Sequence, residues 1–162
     1  MRLVIDASVL AGELLRAAGR DRLGDARLEL FLPERIWSEV QHELPRRIAA
    51  FAHRRDIPQS DAVELVRLCL VAVEANVTIV DEAVYAPGED EARSRSLRDP
   101  DDWPLVACAL SLAAGIWTVD NDLLGAGVAT WTTQSLRVWL QRNQPGSGLR
   151  TSRPRPPWPS RK

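Results

Sequence analysis

The sequence predicts an α/β fold in which a parallel sheet lies between helices on both faces. Short runs of β-branched and aromatic residues alternate with helical stretches along most of the chain, a pattern typical of strands joined by helical crossovers. With 162 residues, 45% hydrophobic and 27% charged, the chain has the length and composition of one globular domain with a proper core. No internal repeat interrupts the alternation.

The N-terminal segment predicts a strand, then a helix, then a loop. Residues 3–5 are apolar and β-prone, and Asp6 follows them directly. A helical pattern continues to about residue 15, whereas residues 16–27 are polar, contain two glycines and are expected to form a loop. Asp6 therefore lies at the carboxyl end of a strand, a position that also suits a cap of the following helix.

The next segment predicts a second strand followed by a long amphipathic helix. Residues 28–32 are predicted to form the strand, which ends at Pro33, a residue that suits the first turn of a helix. Apolar residues then recur at spacings of three and four from residue 34 to about residue 52. Pro45 lies inside this pattern, and we expect it to kink or divide the helix.

The middle of the chain predicts a third helix and a third strand. Ser60 begins a helical pattern that continues to about residue 75, with Asp61 and Glu64 spaced as a capping box. Residues 78–80 are β-prone and are predicted to form the strand. Residues 85–98 are polar and charged, so we expect a loop and a short helix there.

The stretch 99–122 carries most of the functional signal. Three carboxylates open it, an uncharged run follows, and two carboxylates close it. Good helix formers precede Gly115, and β-branched or aromatic residues follow it, which predicts a helix, a C-cap glycine and a short buried strand. Asp102 then begins the helix, and Asp120 lies at the carboxyl end of the strand.

The C-terminal part predicts one more strand, one more helix and a tail. The strand at 128–131 and the helix at 133–140 complete a predicted domain of residues 1–141. Six of the 21 basic residues but none of the 22 acidic ones lie from residue 142 onward, so residues 1–141 carry a net charge of −7. We expect residues 142–162 to form a basic, disordered tail rich in Pro and Arg.

Several protein classes are disfavoured by what the sequence lacks. Cys69 and Cys108 lie in apolar helical runs and are expected to be buried free thiols, and neither histidine has a cysteine near it, which argues against a zinc centre. The longest uncharged run is shorter than the roughly 20 apolar residues of a membrane-spanning helix. The N-terminus shows no features of a secretory signal. We therefore expect a cytoplasmic protein.

The acids at the predicted strand and helix ends predict a site for a hard cation. Ligands of open α/β sheets bind outside the carboxyl ends of the strands, where Asp6, Asp102 and Asp120 are expected. Glu39 is placed to join them from the helix after the second strand, although Glu43 shares roughly its face one turn later. Clustered carboxylates repel one another unless a cation neutralises them, and Mg²⁺ or Mn²⁺ suits an all-oxygen ligand set. The chemistry that fits is metal-assisted hydrolysis of a phosphodiester.

Four short acidic motifs occur in order along the chain. They are Ile5-Asp6-Ala7-Ser8, Trp37-Ser38-Glu39-Val40, the helix start from Asp102 to Leu110, and Trp117-Thr118-Val119-Asp120. Together they resemble the motifs of PIN domains, which are metal-dependent ribonucleases and include the VapC-type toxins of prokaryotes. The resemblance covers about residues 1–140. It implies a three-layer α/β/α sandwich on a five-stranded, mostly parallel sheet.

The resemblance also implies roles for individual residues. Asp6 and Asp102 correspond to the core metal ligands, and Asp120 would complete the metal site directly or through water. Glu39 would help to bind the metal or orient the attacking water. Ser8 matches a position near the metal that is often a small polar residue.

Two of these positions have competitors in the sequence. Asp99 and Asp101 precede Asp102 within the same acidic cluster, although the register from Asp102 fits the family best. Asp122 follows Asp120 after one intervening residue and is an alternative or a supporting ligand.

The partners implied by the resemblance are an RNA substrate, a second copy of the chain and, for a toxin, an antitoxin that occludes the acidic groove. Because residues 1–141 carry a net negative charge, RNA must be bound by local arginines, whose guanidinium groups form bidentate hydrogen bonds to phosphate. The candidates for this role are Arg46, Arg47, Arg93 and Arg95.

Other functions fit the sequence less well. A haloacid-dehalogenase-type phosphotransferase requires two Asp residues one position apart after the first strand, and Ser8 occupies the second of these positions. The Gly-rich fingerprint of a dinucleotide-binding fold is absent after that strand. The main alternative is a PIN fold that binds RNA or protein without nuclease activity. All four acidic positions are intact, which argues against a degenerate site.

Overall fold

Five parallel strands form the centre of the structure. The strands are β1 (Arg2–Ile5), β2 (Glu29–Pro33), β3 (Val77–Val80), β4 (Gly115–Trp117) and β5 (Thr130–Trp131). The computed structural model describes residues 1–144, in which the strands lie in the order β3-β2-β1-β4-β5. Every neighbouring pair is parallel, so each connection must cross over a face of the sheet.

Eight α-helices cover the sheet in the described part of the chain. Short 3₁₀ turns at Ala86–Gly88 and Pro100–Asp102 precede the sixth and seventh helices. The helices are α1 (Ala7–Leu14), α2 (Ala17–Leu23), α3 (Glu34–Arg54), α4 (Gln59–Asn76), α5 (Glu82–Tyr85), α6 (Glu89–Arg95), α7 (Trp103–Ser111) and α8 (Thr133–Arg142).

Alternate residues of the strands pack into separate cores on the two faces of the sheet. Leu3 and Ile5 of β1 pack with Leu10 of α1 and with apolar residues of α2, α3, α4 and α8. Val4, between them, packs in a second core with residues of α5, α6 and α7 such as Trp103. Because side chains alternate along a strand, helices cover both faces. The predicted three-layer α/β/α sandwich with a five-stranded parallel sheet is confirmed.

The carboxyl ends of the central strands meet at one edge of the sheet. Ile5 of β1 lies opposite Trp117 of β4, so Asp6 and Thr118 follow the two strands side by side. β2 ends at Pro33, and α3 begins at the next residue. The crevice outside this edge is where folds of this type bind ligands.

The segment predicted as a loop at 16–27 contains a helix, so that prediction is wrong. α2 occupies most of the segment, and its Leu23 is buried in the core. Gly19 lies against the end of α1, where a Cβ atom would clash with the Glu13 carbonyl oxygen. This glycine therefore serves the close approach of two helices and does not mark a turn.

Gly115 does not cap α7, which corrects a second prediction. α7 ends at Ser111, and Ala113 adopts the left-handed conformation with a φ of 48°. Gly115 instead begins β4, where a Cβ atom would lie 2.9 Å from the Ala129 carbonyl oxygen. That oxygen accepts a hydrogen bond from the Ile116 N–H at 2.8 Å. The glycine is needed because the chains of β4 and β5 come very close here.

Two local predictions for the long helices are also corrected. α3 runs unbroken through Pro45, which is exposed, so water can reach the carbonyl that its missing N–H leaves without a partner. α4 begins after Pro58 with no side-chain cap, so Asp61 and Glu64 do not form a capping box. Glu64 instead forms an ion pair with Arg67 at 2.6 Å.

The predicted tail falls almost entirely outside the described residues. Arg142 ends α8, and residues 145–162 are not described. Within residues 1–144, each helix is too short or too polar to cross a lipid bilayer. Cys69 and Cys108 are buried and unbridged, as predicted.

Candidate active site

Asp6 joins β1 to α1 and accepts three hydrogen bonds. Its Oδ1 accepts from the Ser8 backbone N–H at 3.0 Å, which makes Asp6 the N-cap of α1. Its Oδ2 accepts from the Ser8 hydroxyl at 3.0 Å and from the Thr118 hydroxyl at 2.7 Å. These bonds fix the orientation of the carboxylate. They also leave acceptor capacity for a further ligand, because an ionised carboxylate offers about four lone-pair positions.

Thr118 connects Asp6 to Asp120. It directly follows β4, and its side chain is buried. Its Oγ1 donates to Asp6 and accepts a hydrogen bond from the Asp120 backbone N–H at 2.9 Å. Two aspartates more than a hundred positions apart in the sequence are thus linked at the same edge of the sheet.

The three acids before α7 have different surroundings. Asp99 caps the 3₁₀ turn by accepting from the Asp101 backbone N–H at 3.0 Å. The Asp101 side chain is 95% exposed and lies 3.7 Å from Arg93. Asp102 is the N-cap of α7, is partly buried and makes no side-chain capping bond. Of the three, Asp102 is therefore the acid whose carboxylate is not used to stabilise a local turn or an ion pair.

The pKa of Asp102 is raised to about 6. Burial is the largest cause, and repulsion from Asp99, Asp120, Asp6 and Asp122 follows in that order. Both effects penalise the ionised form of a carboxyl group. A pKa shifted by burial and by a specific set of neighbouring charges is typical of functional sites.

Asp6, Glu39 and Asp102 line one cleft of about 360 Å³. The cleft lies beyond the carboxyl ends of the strands, between the starts of α1, α3 and α7. Asp120 adjoins the cleft through Thr118 and lies near enough to Asp102 to raise its pKa. The fold thus brings three of the four predicted acids, from three separate segments, to one cleft and places Asp120 beside it.

Glu39 and Glu43 lie one turn apart on α3 and differ in their partners. Glu43 forms an ion pair with Arg47 at 2.7 Å. Glu39 is exposed and lines the cleft, and no ion pair involves it in residues 1–144. Of the two glutamates, Glu39 is therefore the better placed to act with the other acids of the cleft.

A family model described as PIN domain matches residues 4–141 of the chain. The chain belongs to the PIN domain family. The matched segment contains all four predicted acids and is part of a superfamily that is generally nuclease-like. No curated protein matches the sequence.

The two supporting residues predicted for this PIN domain have distinct positions. Ser8 donates to Asp6 through both its backbone N–H and its hydroxyl. Asp122 donates its backbone N–H to Asp120 at 2.8 Å and pairs its own carboxylate with Arg98 at 2.8 Å. The ion pair partly neutralises Asp122, whereas Asp120 has no such partner in the described residues.

The four arginines predicted to bind RNA are not gathered at the cleft. Arg47, Arg93 and Arg95 each pair with a glutamate one turn away on the same helix, at 2.7, 2.7 and 2.5 Å. Arg46 is exposed on α3. The proposed contact of these arginines with RNA stays a prediction, but three of them already have a carboxylate partner.

Two residues near the acids were missed by the sequence reasoning. Thr118 lies within the Trp117–Asp120 motif, but its place between two acids depends on the pairing of β1 with β4, which no local signal in the sequence shows. Arg35 lines the cleft from the first turn of α3. A cation in the first turn of a helix opposes the helix dipole, and that local misfit was the available signal.

The acids of this PIN domain fit a hard cation by chemistry, although they are not closely grouped. In residues 1–144, no three His, Cys, Asp or Glu side chains lie close enough together to hold a metal ion. All four candidates offer carboxylate oxygens, the ligands that Mg²⁺ and Mn²⁺ prefer. The mutual repulsion that raises the pKa of Asp102 also favours separation of the carboxylates. A bound divalent cation would lower the repulsion between the carboxylates and allow them to lie closer together.

Proposed function

We propose that this PIN domain is an Mg²⁺- or Mn²⁺-dependent ribonuclease that hydrolyses RNA phosphodiester bonds. The observation that supports the proposal is the convergence of Asp6, Glu39 and Asp102 on one cleft. Asp120 is tied to the same edge through Thr118. Four acids from separate segments are more than helix capping requires, since capping uses one acid for each helix start.

Asp6 and Asp102 are the proposed core metal ligands. Asp120 completes the metal site directly or through water, and Glu39 binds the metal or orients the attacking water. When bound, the cation lowers the pKa of a water molecule and stabilises charge on the phosphate oxygens. All four assigned residues offer carboxylate oxygens as ligands, and a hard cation prefers oxygen ligands.

The neighbouring residues orient these acids. The hydroxyls of Ser8 and Thr118 hold the Asp6 carboxylate in one orientation, as outer hydrogen bonds do for metal ligands in general. Partial burial of Asp102 reduces the contact of its carboxylate with bulk water, which strengthens its attraction to a cation. The backbone N–H of Asp120 is fixed by Thr118.

The biological role that fits this activity is the toxin of a toxin–antitoxin pair, acting in the cytoplasm as a homodimer. An antitoxin would place a segment over the acid-lined cleft, and basic side chains are the complement of that lining. A growth assay tests the role. Expression of the wild-type chain should arrest growth, and Asp102→Asn should not. Arrest by both chains argues against a toxin that acts through this cleft.

The activity itself is tested on a mixed RNA pool with Mg²⁺ or Mn²⁺ and then with EDTA. We expect cleavage by the wild type that stops with EDTA and is lost in Asp6→Asn and Asp102→Asn. Glu43→Gln is a matched control for Glu39→Gln, because both residues lie on α3 and only Glu39 lines the 360 Å³ cleft. An intact RNA pool under all conditions, together with binding of RNA, supports the alternative of a binding module without nuclease activity.

A further inference from the structure

Arg35 is the one basic residue that lines the acidic cleft among residues 1–144. The other charged side chains of its lining are Asp6, Glu39, Asp101 and Asp102. A cleft with only these acids repels a polyanion, even where a cation neutralises part of the charge. A basic side chain in the lining would offset the repulsion between a phosphate backbone and the acids that no cation neutralises.

Arg35 differs from most arginines nearby because no carboxylate pairs with it. In the described chain, Arg47, Arg93, Arg95 and Arg98 each form an ion pair with an acid at 2.5 to 2.8 Å. Arg35 takes part in no ion pair of this part of the chain, although it lines the same cleft as four acids. Its guanidinium therefore keeps its donors for a ligand.

The position of Arg35 is locally unfavourable and is stabilised from outside its helix. It is the second residue of α3, where the helix dipole disfavours a positive charge. Its guanidinium carbon lies 5.8 Å from the ring centroid of Trp103, within cation–π range. Residues that break a local rule in this way are expected at functional sites.

Trp103 links Arg35 to the proposed metal site. It follows Asp102 directly, and it is buried among the residues of α5, α6 and α7. The same short segment thus positions a carboxylate of the site and the ring under the guanidinium. A displacement of this segment would move both groups together.

We infer that Arg35 binds a phosphate of the RNA strand next to the phosphate that is cut. The guanidinium presents parallel N–H donors that match two phosphate oxygens. This contact positions the strand over the acids and carries no sequence preference, because phosphates are the same at every nucleotide. The inference rests on the proposed ribonuclease function, since it assumes that the bound strand is RNA.

The test is the binding of a short labelled single-stranded RNA of mixed sequence, measured by fluorescence anisotropy at several salt concentrations. The full chain carries Asp102→Asn, which removes cleavage. Added Arg35→Met should weaken binding about tenfold and lower the slope of log Kd against log salt by about 0.7, the value for one phosphate contact on a single strand. Arg35→Lys should keep the slope and lose part of the affinity, because it retains the charge without the bidentate geometry.

Arg67→Met is the matched control. Arg67 lies on α4, is exposed and pairs with Glu64, so its loss changes the net charge by the same amount away from the cleft. We expect little change in RNA binding. Equal weakening by Arg35→Met and Arg67→Met overturns the inference, because it reduces the effect of Arg35 to general electrostatics.

Kinetics and calorimetry distinguish the role of Arg35 from that of the metal site. In the wild-type background, Arg35→Met should raise KM with little change in kcat and should not weaken Mn²⁺ binding. Loss of Mn²⁺ binding, or RNA affinity unchanged by Arg35→Met, overturns the inference and leaves the ribonuclease proposal intact if the wild type still cleaves RNA. A wild type that never cleaves RNA defeats the ribonuclease proposal, while the binding comparison still decides whether Arg35 contacts the RNA backbone.

Discussion

Carboxylates near α2 and carboxylates in the cleft have opposite surroundings. Asp25 is bound by Arg27 through two side-chain hydrogen bonds of 2.8 and 2.5 Å. Glu13, which is buried, pairs with Arg22 and accepts a hydrogen bond from Thr133. Asp102, by contrast, faces the repulsion of four other acids. Asp25 and Glu13 are neutralised within the fold, and Asp102 is not.

The pKa values express this difference. The hydrogen bonds from Arg27 are the largest cause that holds the pKa of Asp25 below its ordinary value of 3.8. Burial and repulsion raise the pKa of Asp102 to about 6. Ionised Asp25 therefore stabilises the folded state, whereas ionised Asp102 destabilises it. Charge that the fold leaves unbalanced at one edge of the sheet is what a cation-binding site requires.

The largest effect is expected from Asp102→Asn on cleavage. Loss of one anionic ligand should remove several kcal/mol of transition-state stabilisation, which corresponds to about a thousandfold in rate. Single-turnover cleavage of RNA with Mg²⁺ measures it, with Glu43→Gln as the control that should keep near wild-type activity. Equal activity of Asp102→Asn and the wild type removes Asp102 from the site and favours Asp99 or Asp101.

Glu13→Gln should affect stability and leave the chemistry unchanged. The substitution leaves the partly buried Arg22 without its ionic partner, which should cost about 3 kcal/mol of unfolding free energy. Urea unfolding measures this cost, and cleavage per folded molecule should stay constant. Glu64→Gln, in an exposed pair with Arg67, is the control and should change stability little. A stability of Glu13→Gln equal to that of the wild type contradicts the structural role.

Asp102→Asn should stabilise the metal-free protein. The folded state holds the Asp102 proton more tightly than the unfolded state, because the pKa rises from 3.8 to about 6. Stability is therefore lost as the pH rises between these values and stays lower above pH 6, by up to about 2 kcal/mol. Asparagine does not titrate. Unfolding in EDTA should therefore show a higher free energy of unfolding for Asp102→Asn than for the wild type at pH 7, and no difference below pH 4. A loss of stability at pH 7 would instead give Asp102 a structural role.

The smallest effect is expected from Asp25→Asn. The lowered pKa of Asp25 means that its contribution is present above pH 4 and is lost as the pH falls through the folded-state value. We expect a loss of less than about 1 kcal/mol at pH 7, since the pair is partly exposed to solvent. Unfolding curves at pH 7 and pH 2.5 measure this loss. A difference in unfolding free energy between Asp25→Asn and the wild type that is larger at pH 2.5 than at pH 7 contradicts the role assigned to Asp25.

The features that the sequence predicted correctly depend on the order of residues within short segments. The alternation of strands and helices predicted the sheet, and the position of Asp6 after a strand followed from three apolar residues. The PIN resemblance implied the acid set, of which Asp6, Glu39 and Asp102 line one cleft, and the role of these acids stays a prediction. The predictions of the sheet and of the strand before Asp6 succeeded because each depends on a short segment and on the general rule for parallel sheets.

The features that the sequence did not reveal depend on contacts between distant segments. Gly19 and Gly115 suggested a loop and a helix cap, but both serve the close approach of a neighbouring backbone. The ring beneath Arg35 depends on how the starts of α3 and α7 lie next to each other. Thr118 became visible only when β1 and β4 were paired.

The central claim is that the unbalanced acids of the cleft form a divalent-cation site. Calorimetric titration of the wild type and Asp102→Asn with Mn²⁺ at pH 6, in two buffers of different ionisation enthalpy, tests it most directly. We expect one site in the wild type, release of a proton on binding because the pKa of Asp102 is about 6, and little binding by Asp102→Asn. No Mn²⁺ binding by the wild type, or equal binding by both chains, would contradict the claim.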